Sequence, residues 1–256
     1  MNPLTHQLER TIVIGATRAT VFRYFTDSER FAAWWGAGSR IEGRVGGAVH
    51  IRYPNGVVAS GEVVDIDPGN RVVFTYGYED PTKPIPPGGS RVTITLEDDP
   101  GGTRLHLRHE LADASVRDQH VPGWRYQLAV FSNVAAGEQH SGLAVQVDRY
   151  FSLWSEPDAA TRRGGLATLV SDSVTFKDAF SCTSGLEDLS EHLGAAQAHM
   201  PGMRLRRSGD VRQCQGVAIA DWVAEGPDGQ QRAAGTNVFD LTAEGRIARI
   251  VGFWGK

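Results

Sequence analysis

The stretch 123–154, GWRYQLAVFSNVAAGEQHSGLAVQVDRYFSLW, constrains this chain most, because it carries two apolar helical stripes with a polar break between them. Trp124, Leu128, Phe131 and Ala135 recur at three- and four-residue steps. Leu143, Val147, Tyr150, Phe151 and Trp154 do the same. The break, Gly137-Glu138-Gln139-His140-Ser141-Gly142, has two helix-breaking glycines and no apolar side chain. One domain should therefore end with the first stripe and another open with the second. This gives a first domain over 1–137, a linker over 138–142 and a second domain over 143–256.

A chain of 256 residues is long enough for two ordinary domains. Residues 1–140 carry 14 Lys+Arg against 16 Asp+Glu and the remainder 12 against 14, so each part has a net charge of −2. No basic half suggests a nucleic-acid partner, and no polybasic tail suggests a membrane surface. No segment approaches the roughly 20 apolar residues of a membrane span. The N-terminus MNPLTHQLERTIVIG lacks the pattern of a secretory signal. The two cysteines, Cys182 and Cys214, have no metal-like spacing and argue against a disulfide framework. The expectation is a cytoplasmic protein without metal or cofactor.

In the first half, residues 8–15 read as a strand, followed by two short helices around Phe22 and Trp34, with the break Thr26-Asp27-Ser28 between them offering two candidate N-caps for the second. Strand-like runs follow over 49–53, 57–66, 72–78, 90–97 and 103–111, separated by turn residues. The Pro-rich segment 80–89 should be a mobile loop. Ser115-x-x-Asp118 is a candidate capping box before the last helix. Consecutive strands with short turns imply antiparallel pairing, hence an α+β domain. Its helix must bury the Trp124 stripe against the concave sheet face, leaving a cavity at one end. In 105–111, LHLRHEL, alternation puts His109 on the leucine face, where it either lines a pocket or is a hydrogen-bonded core residue.

Together with Gly46-Gly47, Gly61-Glu62-Val63, Asp67-Pro68, Arg71-Val72 and Gly123-Trp124, this order resembles the helix-grip superfamily, an antiparallel sheet wrapped on a long C-terminal helix. Within it, residues 8–137 resemble the activators of the heat-shock-90 ATPase, in their C-terminal domain. The resemblance implies a cavity for an apolar small molecule, with His109 and Trp124 as candidate ligand-binding residues. A chaperone-accessory role is an alternative, although nothing here matches the further domain through which the eukaryotic activator contacts its chaperone.

The second half reads helix, helix, strand, helix, then four antiparallel strands. In its first strand, Val174, Phe176 and Asp178 share a face, so a carboxylate ends an apolar row. Asp178 is then either a base in a pocket or a turn residue at the strand's end. Ser184-Gly185-Leu186-Glu187 suggests a capping box for a helix from Leu186 to about His199. His192 and His199 are expected at exposed or helix-end positions.

Tyr150-Phe151-x-x-Trp154, Phe176-x-Asp178, Gly185, Pro201-Gly202, Trp222 and Glu244-Gly245-Arg246-Ile247 resemble a SnoaL-like domain of the nuclear-transport-factor-2-like superfamily, a cone-shaped α+β barrel. Within that superfamily, similarity to ketosteroid isomerases implies Tyr150 as hydroxyl donor, Asp178 as base and Asn237 at the acid-donor position, where the family has a protonated aspartate. Trp154, Phe176, Trp222 and Phe239 should wall the cavity. Such a set would suit proton abstraction beside a carbonyl. The leading expectation is a two-domain binder of apolar small molecules with a cavity in each domain. The alternatives are an isomerase- or cyclase-type enzyme acting on a hydrophobic carbonyl compound, and the accessory protein. The resemblance to the cone also implies a homodimer through its sheet.

Overall fold

Alternation builds the first sheet in the computed structural model, which describes residues 3–255. The strands are β1 (His6–Ile14), β2 (Arg40–Ile41), β3 (Ala48–Arg52), β4 (Val58–Asp67), β5 (Arg71–Tyr78), β6 (Ser90–Asp99) and β7 (Gly102–Leu111). Their order is β1-β7-β6-β5-β4-β3-β2, and neighbours are antiparallel. Val92, Ile94 and Leu96 of β6 and Leu105, Leu107 and Leu111 of β7 are buried, so every second residue of each strand faces the core.

Between β1 and β2 lie α1 (Arg18–Arg23) and α2 (Ser28–Trp35), and the N-cap of α2 is Asp27, whose side chain accepts from the Arg30 N–H. The long α3 (Ala114–Gln139) buries Trp124, Leu128, Phe131 and Ala135, the stripe that the spacing predicts. Its first turn is capped by Asp113, which accepts from the Val116 N–H at 3.0 Å, and not by the Ser115 box. Phe131 meets Tyr24 and Phe25 edge-on, with centroids 5.3 and 5.4 Å apart. Such contacts make α3 the second layer of the unit; truncating a buried phenylalanine of this kind costs about 3–5 kcal/mol.

Two local expectations are corrected here. The strap 79–89 between β5 and β6 is docked rather than mobile: Ile85 is buried, the Tyr78 N–H donates to the Ile85 carbonyl at 2.8 Å, and Gly89 N–H closes on Pro86. Glu138 does not lie in a linker. It belongs to the last turn of α3 and holds Arg23 and Arg30 at 3.0 Å, so the non-helical break shrinks to 140–142. The chain divides between Glu138 and Gln139 into two compact units.

In the second unit, α4 (Leu143–Leu153), α5 (Ala159–Leu169) and α6 (Leu186–His199) pack with β8 (Val170–Lys177), β9 (Cys182–Ser184), β10 (Arg204–Cys214), β11 (Val217–Glu225), β12 (Gln231–Leu241) and β13 (Ile247–Trp254). The sheet order is β10-β11-β12-β13-β8-β9. β10 to β13 form an antiparallel meander, and β13 pairs parallel with β8. The N-cap of α6 is Gly185 without a side-chain bond, so the expected capping box is not made; Asp188 instead accepts from the Ser184 N–H at 2.8 Å. The chain is thus mixed α+β with two antiparallel-rich sheets. Among the described residues, no helix is long and apolar enough to cross a membrane.

Candidate functional site

A cavity of about 580 Å³ lies in the first unit. β5 supplies Tyr76 and Tyr78, which alternate onto one face; Tyr53 follows β3, and α2 brings Trp35. From α3 come His120, Gly123 and Trp124, while Lys83 and Pro84 of the strap edge the mouth. The walls are therefore mainly aromatic, and no carboxylate is among the lining residues.

Its polar groups are tied to one another. The Tyr53 and Tyr76 hydroxyls lie 2.8 Å apart, and Tyr78 Oη lies 3.1 Å from His120 Nε2. His120 Nδ1 is 2.7 Å from the Val116 carbonyl, which can only accept. In the neutral imidazole the proton is therefore on Nδ1, and Nε2 accepts from Tyr78. Burial raises the pKa of both Tyr53 and Tyr76, so both remain neutral phenols.

His109 stands one layer behind this wall. The Trp124 indole N–H donates to His109 Nδ1 at 3.0 Å, which places the imidazole proton on Nε2. Nε2–H then donates to Ser90 Oγ at 2.8 Å, and Ser90 donates to the Tyr76 carbonyl at 2.8 Å. Burial, reinforced by the charge of His120, lowers the His109 pKa to about 3. Both nitrogens are occupied and the ring does not line the cavity, so His109 sets the orientation of Trp124 rather than meeting a ligand. Of the two residues expected in this domain's site, Trp124 reaches the cavity and His109 does not.

The second unit differs from expectation in size. Its pocket has a volume of only about 40 Å³, and Met200, Met203 and Leu205 are among the residues lining it. A space of that order holds a few water molecules, whereas ligand sites run to roughly 300–1,000 Å³. Trp154, Phe176, Trp222, Asp178 and Asn237 line it. Phe239 is instead buried against Tyr150 and Phe151, at centroid distances of 5.7 and 6.3 Å.

Asp178 directly follows β8 and closes a turn: Oδ1 accepts from the Phe180 N–H at 2.8 Å and Oδ2 from the Trp254 indole at 3.1 Å. Asn237 is buried and its Oδ1 accepts from Trp222 Nε1 at 3.0 Å. Gly252 lies between them, where an added Cβ would stand 3.2 Å from both Asn237 Oδ1 and Asp178 Cβ. Tyr150 does not join them in the lining. Its ring is sealed edge-on against Trp154, and burial raises its pKa despite the opposing effect of the Trp154 N–H.

His192 departs from the expected exposed position. Its ring packs on Phe176 and Trp154 with centroids 5.2 and 5.6 Å apart, and Nδ1 lies 3.2 Å from Ser181 Oγ. Burial lowers its pKa, outweighing the charges of Asp178 and Asp188. Among the described residues, His192 Nε2, Tyr150 Oη and Trp154 Nε1 are buried without hydrogen-bond partners. Helical spacing on α6 could have flagged His192, since it adjoins buried Leu193 and Leu189. The tyrosines of the first cavity had a signal in the Tyr76/Tyr78 alternation, but their partners Tyr53 and His120 lie 23 and 42 residues away. No group of three or more metal-ligating side chains occurs among the described residues, and both cysteines are free and exposed.

A helix laid on an antiparallel sheet around an aromatic cavity defines the class of the first unit. Residues 15–136, just short of half the chain, match the family described as Activator of Hsp90 ATPase homolog 1-like protein. No curated protein matches the chain. Among similar solved structures is a protein of Agrobacterium tumefaciens, named as a proposed isomerase of the SnoaL-like family. It is 27% identical over 46% of this chain and 99% of its own, with a TM-score of 0.43. An AHSA1-like protein of Rhizobium etli is 28% identical over 52% of this chain and 82% of its own, with a TM-score of 0.41. The AHSA1 protein of Silicibacter pomeroyi is 25% identical over 50% and 95%, at a TM-score of 0.41.

Proposed function

We propose that the chain is a binder of apolar small molecules, and that binding takes place in the first unit. The observation that carries this reading is the aromatic-walled cavity of about 580 Å³, which is within the size range of ligand sites. The second unit, with its pocket of about 40 Å³, is not a second binding cavity of that kind in this conformation. Gly123 provides the test. It lines the cavity on α3, and a Cβ there would meet nothing within 4 Å, so a larger side chain enters free space. Gly123→Phe should fold, because replacing a helical glycine removes a penalty of about 0.5–1 kcal/mol. It should weaken biphenyl binding at least tenfold in calorimetric titration. If biphenyl and its derivatives fail to bind the unaltered chain, the reading is wrong.

A second reading, proton transfer in the second unit, is favoured by one observation. Trp154 and His192 pack on Phe176 and Tyr150 packs on Trp154, with His192 Nε2 buried and without a partner, and the charge of Asp178 acts on both Tyr150 and His192. Access for a substrate would require the flexible Met200 and Met203 side chains to withdraw. Assaying the purified chain against β,γ-unsaturated ketones tests this; absence of turnover ends it.

A further inference from the structure

The first cavity has a polar floor whose hydrogens can be counted. Tyr53, Tyr76 and Tyr78 bring three phenol hydrogens. That of Tyr78 is committed to His120 Nε2, because His120 Nδ1 already donates to the Val116 carbonyl. Tyr53 and Tyr76 share a single hydrogen bond of 2.8 Å, which uses one of their two hydrogens. Tyr76 also interacts with the Tyr78 hydroxyl, whose own hydrogen goes to His120, so a chain Tyr53→Tyr76→Tyr78→His120 can use all three hydrogens and leaves oxygen lone pairs of the tyrosine pair that can accept. Leaving such groups unmatched against an apolar ligand costs free energy, which a ligand hydroxyl would recover.

Charge narrows the ligand further. The lining holds no carboxylate for a cation, and its lysine, Lys83, sits exposed on the strap at the mouth rather than at the floor. An ion carried down to the tyrosine pair would be desolvated among aromatic faces without a counter-charge. The walls of Trp35, Tyr53, Tyr76 and Trp124 suit a flat ring system, presenting edges and faces at centroid distances near those of their own contacts: Trp35–Tyr53 is 5.7 Å and Trp35–Trp124 is 5.6 Å.

From this geometry we infer that the first unit selects a neutral aromatic compound bearing a hydroxyl, a phenol, whose oxygen docks on the Tyr53–Tyr76 pair. The inference rests on the binding function proposed above and names its ligand class. A phenol meets the floor by donating its hydrogen to the open lone pairs of the tyrosine pair, which neither an unsubstituted ring nor a carboxylate can do.

Three probes of one shape test it: biphenyl, 4-hydroxybiphenyl and biphenyl-4-carboxylate, titrated calorimetrically into the full chain. The hydroxyl compound should bind roughly tenfold more tightly than biphenyl, as one net hydrogen bond implies, and the carboxylate more weakly than the phenol. The double variant Tyr53→Phe/Tyr76→Phe, with its fold checked by thermal melting, should lose the preference for the hydroxyl, read as the ratio of the 4-hydroxybiphenyl and biphenyl affinities in the same variant. Both tyrosines are replaced because either one alone could still serve the ligand oxygen. Equal binding of biphenyl and 4-hydroxybiphenyl would overturn the inference while leaving apolar binding intact. So would a preference that survives in the double variant, or a carboxylate that binds best. Failure of all three probes would instead refute the binding function itself.

Discussion

His109 shows how one buried side chain links the sequence to a measurable property. The leucine alternation of β7 places it inside, and Trp124 and Ser90 then occupy its two nitrogens. Protonation would need a second N–H where Trp124 already donates, in a site stripped of water, and the pKa falls to about 3. An unfolded histidine titrates near 6.5, so between about pH 3 and pH 6.5 the unfolded chain binds the extra proton. Stability from this residue is complete above that window and declines as the pH falls through it, by up to about 1.4 kcal/mol per pH unit. His109→Gln keeps a donor and an acceptor but cannot titrate, so its stability should depend less on pH. Urea unfolding of both proteins from pH 4.5 to 7 measures this; parallel profiles would show that His109 is not the titrating group.

At the scale of elements, the strap 79–89 carries the main surprise. Its prolines removed any expectation of regular structure, yet the chain is pinned by Ile85 in the core and by the Tyr78 amide. The sequence signal for docking was Gly77, next to the end of an otherwise largely β-branched and aromatic strand. A Cβ at Gly77 would stand 1.7 Å from the Pro86 carbonyl oxygen, so glycine is what lets the strap approach the sheet. Gly77→Ala should lift the strap, expose Ile85 and cost about 2–3 kcal/mol. Faster hydrogen exchange at the Tyr78 amide, with a lower melting temperature, would report it. Because Lys83 and Pro84 edge the cavity, the same variant should also loosen its mouth. Long elements were legible because periodicity accumulates along them. β2 and β9, of two and three residues, are too short to show any alternation.

Across the whole molecule, residues close in sequence were placed well and partners distant in sequence were not. The helical stripe of 124–135 and the four long strands of the second half follow from local pattern. The volumes of the two cavities do not, since they depend on which side chains from remote segments fill the space. Asp178 and Asn237 do line one pocket beside Gly252, but that pocket, lined also by Met200 and Met203, has a volume of only about 40 Å³. The end of the first unit makes the same point. Composition put Glu138 in a linker, because its partners Arg23 and Arg30 lie 115 and 108 residues away. Burial acts to raise the Glu138 pKa, yet the Arg30 hydrogen bonds and the two guanidinium charges outweigh it and hold it below the usual glutamate value. This clamp ties the last turn of α3 to α1 and α2, and a bidentate, half-buried arrangement of this kind is worth about 1–2 kcal/mol. We therefore propose residue 138, not 137, as the last that the first unit needs. A fragment of residues 1–141 should melt about 4 °C above one of residues 1–137, and Glu138→Gln in the longer fragment should remove most of that difference. The advantage should shrink below about pH 4.5, as the carboxylate protonates and the clamp loses its charge. Equal melting of the two fragments at pH 7 would place the boundary at the glycine after all.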